Sequence, residues 1–162
     1  MIIAKEFGDQ GGEGRAYGNL DTAYQSLGEY RKAIWYSEKV LKIAMEVGDQ
    51  RLEGEAYGNL GIAFDSLGDY RKGIEYHERY LKIAKEIGDW AGELRSYHSI
   101  GTEYFSLRQF QNAVDNYVYY IDTTEIPSCR TVNERRRLLF PSSGIFTKFL
   151  VPTFTSFTQR SF

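Results

Sequence analysis

Few side chains in this sequence could do covalent or metal chemistry. Cys129 is the single cysteine, and the only histidines are His77 and His98. One thiol cannot build an internal disulfide framework or a four-thiolate zinc site, and we expect both histidines to be ordinary surface or half-buried residues. Carboxylate pairs such as Glu53 and Glu55 have neither a nucleophile nor an apolar run beside them, so we expect solvated helix faces. The sequence therefore predicts no enzymatic activity, no cofactor, no metal and no small-molecule substrate.

The overall composition is that of an ordinary globular chain. It has 162 residues, of which 42% are hydrophobic and 26% charged, and this balance argues against wholesale disorder. The formal net charge of −2 gives no sign of a nucleic-acid partner. No apolar stretch approaches the ~20 residues of a membrane span, and the first residues form no signal-peptide core. We expect a soluble, cytoplasmic protein without a membrane partner.

The sequence repeats itself with a period of 40 residues. GRAYGNL at 14–20 recurs as GEAYGNL at 54–60, and residues 11–50 share 24 identical positions with residues 51–90. A weaker third copy follows, in which Tyr97 takes the place of Tyr57. Self-similarity at a fixed period of this length is typical of stacked repeat architectures.

These repeats give an expected organisation for the whole chain. We expect a remnant of a preceding repeat's second helix at 1–10, repeats at 11–50 and 51–90, a divergent third repeat at 91–126, and an irregular or disordered basic tail at 127–162. All 13 tyrosines lie before this tail and all three prolines lie within it. The chain would then begin inside a repeat and be a fragment of a longer array. The tail's Arg135–Arg137 run could instead be a short targeting or membrane-surface element.

One repeat is predicted to fold into two antiparallel amphipathic helices. In residues 51–90 the apolar side chains of the first helix follow the spacing of one helix face; they are Ala56, Tyr57, Leu60, Ala63, Phe64 and Leu67. Gly68 is placed to end that helix and Asp69 to cap the next one. A single hairpin cannot bury its apolar face, whereas stacked copies can. Asp21 is a departure, because it puts a carboxylate where the second copy has Gly61 at a close helix contact.

The run Tyr57, Leu60-Gly61, Phe64, Gly68-Asp69-Tyr70 resembles the tetratricopeptide repeat (TPR). The 40-residue period and the IAKEIGD ending are similar to the long repeats of the G-protein-signalling modulator (LGN/Pins) family. The resemblance covers residues 1–122 and implies an all-α, TPR-type α-solenoid of antiparallel hairpins wound as a right-handed superhelix. The GoLoco motifs of the modulator proteins are not seen, so no nucleotide-regulating activity is implied.

The resemblance also implies a peptide-binding groove lined by the first helix of each hairpin. The residues it places there are Arg15, Asn19, Glu55, Asn59, Arg95 and Ser99. In such a groove asparagine amides hold a peptide backbone through donor and acceptor together, and arginines receive acidic side chains. Gly18 and Gly58 would leave room for the peptide. The alternative is that Asn19 and Asn59 make local pairs on a helix flank.

The function expected from these residues is protein binding. The chain would be a scaffold that holds an extended or helical peptide, with acidic residues, in its groove, in a signalling or cell-polarity assembly. The alternative is a purely structural segment of a longer TPR array, with no ligand of its own.

Overall fold

A computed structural model describes residues 10–124 of the chain, with side chains up to residue 121. The described part holds six helices and no strand: α1 (Gln10–Ser26), α2 (Tyr30–Val47), α3 (Gln50–Ser66), α4 (Tyr70–Ile87), α5 (Trp90–Ser106) and α6 (Phe110–Thr124). The chain divides into two units at residue 125, and these helices all belong to the first. The expected helix remnant at 1–10 lies outside the described residues except for Gln10, which begins α1, and the expected tail at 127–162 lies outside them entirely. None of the helices between residues 10 and 124 combines the length and apolarity needed to cross a bilayer.

The helix ends follow the turn chemistry of the sequence. Gly48 and Gly88 end α2 and α4 in the left-handed conformation, at φ of 71° and 72°, which costs glycine little. The prediction that Asp69 caps the second helix of its hairpin is confirmed, because its carboxylate accepts a hydrogen bond from the Lys72 amide. Arg108 stands where the first two copies have a turn glycine and adopts a positive φ of 58°, a conformation that strains a side chain with a Cβ.

Each helix packs against the next along the chain, so the hairpins stack into an α-solenoid as predicted. Two apolar clusters hold the stack together. One joins Tyr17 on α1 with Val40 and Ile43 on α2 and Ala56 on α3. The other is centred on Leu60, which is fully buried. Because each cluster takes residues from neighbouring hairpins, the repeats depend on one another for a core.

Asp21 is accommodated because its partner on the second helix is small. Asp21 is fully buried and faces the buried Ser37 of α2, which occupies the position that His77 has in the second copy. In the second copy the pair is Gly61 and His77, where a Cβ on Gly61 would lie 2.6 Å from the imidazole ring. In the first copy the larger residue is on the first helix and the smaller one on the second. In the second copy the sizes are exchanged, so the two helices pack closely in both copies.

Candidate functional site

A groove of about 730 Å³ lies between α3 and α5. Helix α3 contributes Glu55, Gly58, Asn59 and Ile62, and helix α5 contributes Trp90, Ala91, Leu94, Arg95, His98 and Ser99. The remaining lining residues are His77 and Tyr80 of α4 and Tyr120 of α6. We call this surface the α3–α5 groove. Its size is that of a site for a few side chains of a ligand.

The groove brings together four of the six residues predicted to bind a peptide. Glu55, Asn59, Arg95 and Ser99 all line it. The two predicted residues on α1, Arg15 and Asn19, are exposed and do not belong to this lining. Four of the six predicted residues therefore lie together in a concave surface, and the other two lie on an open helix face.

Apolar side chains of this groove were not singled out from the sequence. Ile62 is 45% exposed and Trp90 is 38% exposed, although both are large hydrophobic residues. With Leu94 they give the groove an apolar wall between polar residues. Little in the sequence points to them, because the repeat does not keep either residue apolar. The first copy has Thr22 where the second has Ile62, and Gln50 where the second has Trp90.

Arg95 is held in place by the ring beneath it. Its guanidinium donates a hydrogen bond to the Tyr80 hydroxyl and lies over the Tyr80 ring, 5.6 Å from the centroid. Tyr80 is buried, and burial raises the pKa of its phenol, so the hydroxyl stays neutral near pH 7. Arg95 remains exposed while it makes these contacts. Its charge is therefore positioned at the rim of the groove. Among residues 10–121 no carboxylate lies within salt-bridge distance of it, although the hydrogen bond to Tyr80, with the charges of Asp89 and Glu55, raises its pKa.

Asn59 is tied to the preceding repeat. Its Nδ2 donates to Oδ2 of Asp21 at 2.6 Å, and Gln25 donates to the other carboxylate oxygen at 3.0 Å. Burial raises the pKa of Asp21, and these hydrogen bonds act against that rise. The Asn59 amide has two N–H groups and Asp21 uses one of them, so the other N–H and the amide oxygen are what this side chain can offer to a peptide.

The space beside Gly58 is already filled. A Cβ at Gly58 would lie 3.0 Å from the Tyr80 ring, so this glycine admits Tyr80 and not a peptide. Gly18 differs, since nothing lies within 4 Å of the Cβ it lacks. Of the two glycines expected to clear space for a ligand, only Gly18 has open space beside it.

A buried His–Glu pair lies under the groove and was missed from the sequence. His77 is 3% exposed and its Nε2 lies 3.5 Å from Oε1 of Glu103, which is 1% exposed. The expectation of a surface or half-buried His77 is therefore wrong, because Gly61 leaves room for the ring between α3 and α4. Burial lowers the pKa of His77 to about 4. Burial, with the Asp65 carboxylate as a second cause, raises the pKa of Glu103 to about 8. Both groups are mainly neutral at pH 7.

The described residues contain no group of three or more histidine, cysteine or acidic residues placed to hold a metal ion. The chemistry that this part of the chain offers is recognition: an apolar wall, one positioned guanidinium and several hydrogen-bonding groups. A concave surface with these groups can hold a ligand.

Comparisons with known proteins agree with this geometry. The sequence pattern of the tetratricopeptide repeat family matches residues 12–86 and again residues 52–118. Among solved structures, the crystal structure of the TPR domain of Arabidopsis FLU superposes with a TM-score of 0.69 at 26% sequence identity, covering 72% of this chain and 98% of that domain. No curated protein sequence matches the chain.

Proposed function

The chain belongs to the tetratricopeptide repeat family, and we propose that it is a protein-interaction module that binds a peptide segment of its partner in the α3–α5 groove. The observation that carries this proposal is the convergence in one groove of Glu55, Asn59, Arg95 and Ser99 with exposed apolar side chains. Exposed apolar residues in a concave surface, flanked by polar groups, are characteristic of binding sites.

We propose further that the ligand places an acidic side chain beside Arg95 and an apolar side chain between Ile62 and Leu94. Arg95 lacks an acidic partner within salt-bridge distance among the described residues, while Tyr80 fixes its position. A pre-positioned guanidinium forms charge-assisted hydrogen bonds with a carboxylate at a low entropic cost. Glu55 at the same groove would disfavour a ligand with two adjacent carboxylates, so a single acidic residue fits best.

The similarity of the long repeats to the modulator family also motivates a place in a signalling or cell-polarity assembly, which stays a proposal. The alternative function, a structural segment of a longer array, predicts that the α3–α5 groove has no ligand. The exposure of Ile62 and Trp90 favours the binding role, because a purely structural segment gains nothing from apolar side chains in an open groove.

A peptide-library selection tests the proposal. The full chain is used as bait, and the same chain carrying Ile62→Glu is used for counter-selection, since that charge would occupy the apolar wall. We expect enriched peptides that share a large apolar residue next to aspartate or glutamate. No enrichment over the counter-selection would support the structural-segment alternative and contradict the proposal.

A further inference from the structure

The last described helix exposes a row of apolar side chains that lies outside the α3–α5 groove. Phe110, Val114 and Val118 are 55%, 52% and 48% exposed. They follow one another at intervals of four residues, so they form a single ridge along α6. We call these three residues the α6 ridge.

Equivalent positions in the earlier repeats show what Val114 is built to do. Its counterpart Ile74 is only 8% exposed, and its counterpart Ile34 packs against the cluster centred on Leu60. This position is thus buried in the second copy, and in the first copy it packs against a cluster of the hairpin that follows. Val114 therefore marks a surface shaped to receive another helix.

Val118 shows that the ridge extends beyond ordinary repeat stacking. Its counterparts are Glu38 and Glu78, and both are exposed although a following repeat is present. Stacking of repeats does not require an apolar residue at this position. The valine at 118 widens the apolar surface toward a side of the helix that the first two copies leave in water.

Charge on α6 limits which helix could cover the ridge. Helix α6 contains no lysine or arginine, whereas α2 contains four and α4 contains five. Among the described side chains of α6 the one with a charge is Asp115, next to Val114; it is exposed and accepts a hydrogen bond from Gln111. A second copy of this helix would bring like charges together, while a helix with basic flanks would complement them.

We infer that the α6 ridge docks an amphipathic helix of a partner protein, with an apolar stripe flanked by lysine or arginine. The apolar stripe covers Val114 and Val118, and a basic side chain pairs with Asp115. This mode is the packing of one amphipathic helix on another, with apolar anchors at helical spacing. It does not depend on occupancy of the α3–α5 groove.

The test uses two designed helical peptides of 18 residues with leucine at every apolar position. One carries lysine at the flanking positions and the other carries glutamate. Binding to the full chain is measured by fluorescence anisotropy at physiological salt. We expect the lysine peptide to bind and Val118→Glu to weaken that binding at least about tenfold, with the glutamate peptide binding neither protein.

Val118→Glu separates apolar from electrostatic binding. It introduces the residue that the first two copies have at 38 and 78, and it adds a negative charge. Attraction that was only electrostatic would strengthen, so equal or tighter binding by this variant would overturn the inference. Ile62→Glu adds the same charge in the groove and should not weaken binding; if it does, the peptide lies in the groove and the inference fails.

Sedimentation velocity tests whether a second copy of the chain covers the ridge instead. A dimer of the full chain that Val118→Glu dissociates would show this, and it would also overturn the inference.

Discussion

Asn59 has two possible partners, the Asp21 carboxylate and a bound peptide, and it already serves the first. Its 2.6 Å hydrogen bond reaches a carboxylate that is fully buried between the first two hairpins. A buried acceptor that loses a donor keeps its desolvation cost without compensation. The side chain is therefore structural in the free protein, whatever it does in a complex.

We expect Asn59→Ala to lower the free energy of unfolding by about 1–3 kcal/mol. The matched control is Asn19→Ala, at the equivalent but exposed position of the first copy, which should change it by less than about 0.5 kcal/mol. Urea unfolding of the full chain followed by circular dichroism measures both. Equal midpoints for the two variants would mean that the bond to Asp21 contributes nothing to stability.

Glu103 gives the junction between the second and third hairpins a dependence on pH. Its pKa rises from 4.5 when exposed to about 8 in the folded chain, so the folded state holds a proton that the unfolded state has lost. Stability from this group is complete below pH 4.5 and declines as the pH rises toward 8. The lowered pKa of His77 acts in the opposite direction, but only between about pH 4 and 6.5.

Unfolding free energy should therefore fall between pH 6.5 and 8, by on the order of 1 kcal/mol per pH unit. Glu103→Gln removes the titrating group and keeps the shape, so its profile should be flat in that window. Urea titrations at pH 6.5, 7.3 and 8 compare the two proteins. A wild-type profile as flat as that of the variant would show that Glu103 is already ionised when folded.

Some side-chain positions could be predicted from the sequence and others could not. The position of Leu60 and the cap at Asp69 follow from local spacing, and both predictions are confirmed. The burial of His77 could not be predicted in the same way, because it depends on the space beside Gly61 on the other helix, and the ring then lies close to Glu103 of the next repeat. Contacts between residues at different positions of neighbouring copies depend on how the helices pack, and the repeat pattern does not predict them.

At the scale of the helices, α3 and α5, which begin the second and third hairpins, each take part in two helix interfaces. Helix α3 packs against α2 on one side and α4 on the other. Leu60 is at 0% exposure in the cluster that these helices share. Because hairpins in such a stack stabilise one another, damage at this residue should affect the whole described unit.

Leu60→Ala should cost about 2–5 kcal/mol, through lost burial and the cavity left behind. Leu67→Ala provides the control, since Leu67 belongs to the same copy but is 45% exposed. Thermal unfolding followed at 222 nm should show a clearly lower midpoint for the first variant and a small change for the second. An unchanged midpoint for Leu60→Ala would mean that the assigned packing is wrong.

Helix pairing also explains which departures from the repeat are tolerated. Asp21 lies opposite Ser37, Gly61 opposite His77, and Gly101 opposite Tyr117, whose ring lies 2.8 Å from where a Cβ on Gly101 would stand. Small residues on the first helix thus accompany rings on the second. The sequence alone suggested only that Asp21 was anomalous, since the compensating residue lies 16 positions later and on another helix.

The described part of the molecule offers two surfaces of different character. The α3–α5 groove combines an apolar wall with a fixed guanidinium, while the α6 ridge is apolar beside a carboxylate. A ligand that suits one surface should be disfavoured by the charge at the other. The same solenoid could then hold two partner segments without competition between them.

The central claim, that the α3–α5 groove binds a peptide with an acidic residue, is tested most directly by calorimetry with a peptide from the library selection. Arg95→Ala should weaken its binding by about 5- to 150-fold, and the gap from wild type should narrow at high salt because the lost contact is between charges. Lys82→Ala removes an exposed charge outside the groove and should leave the dissociation constant unchanged. Equal affinities for wild type, Arg95→Ala and Lys82→Ala would contradict the account and place the ligand elsewhere.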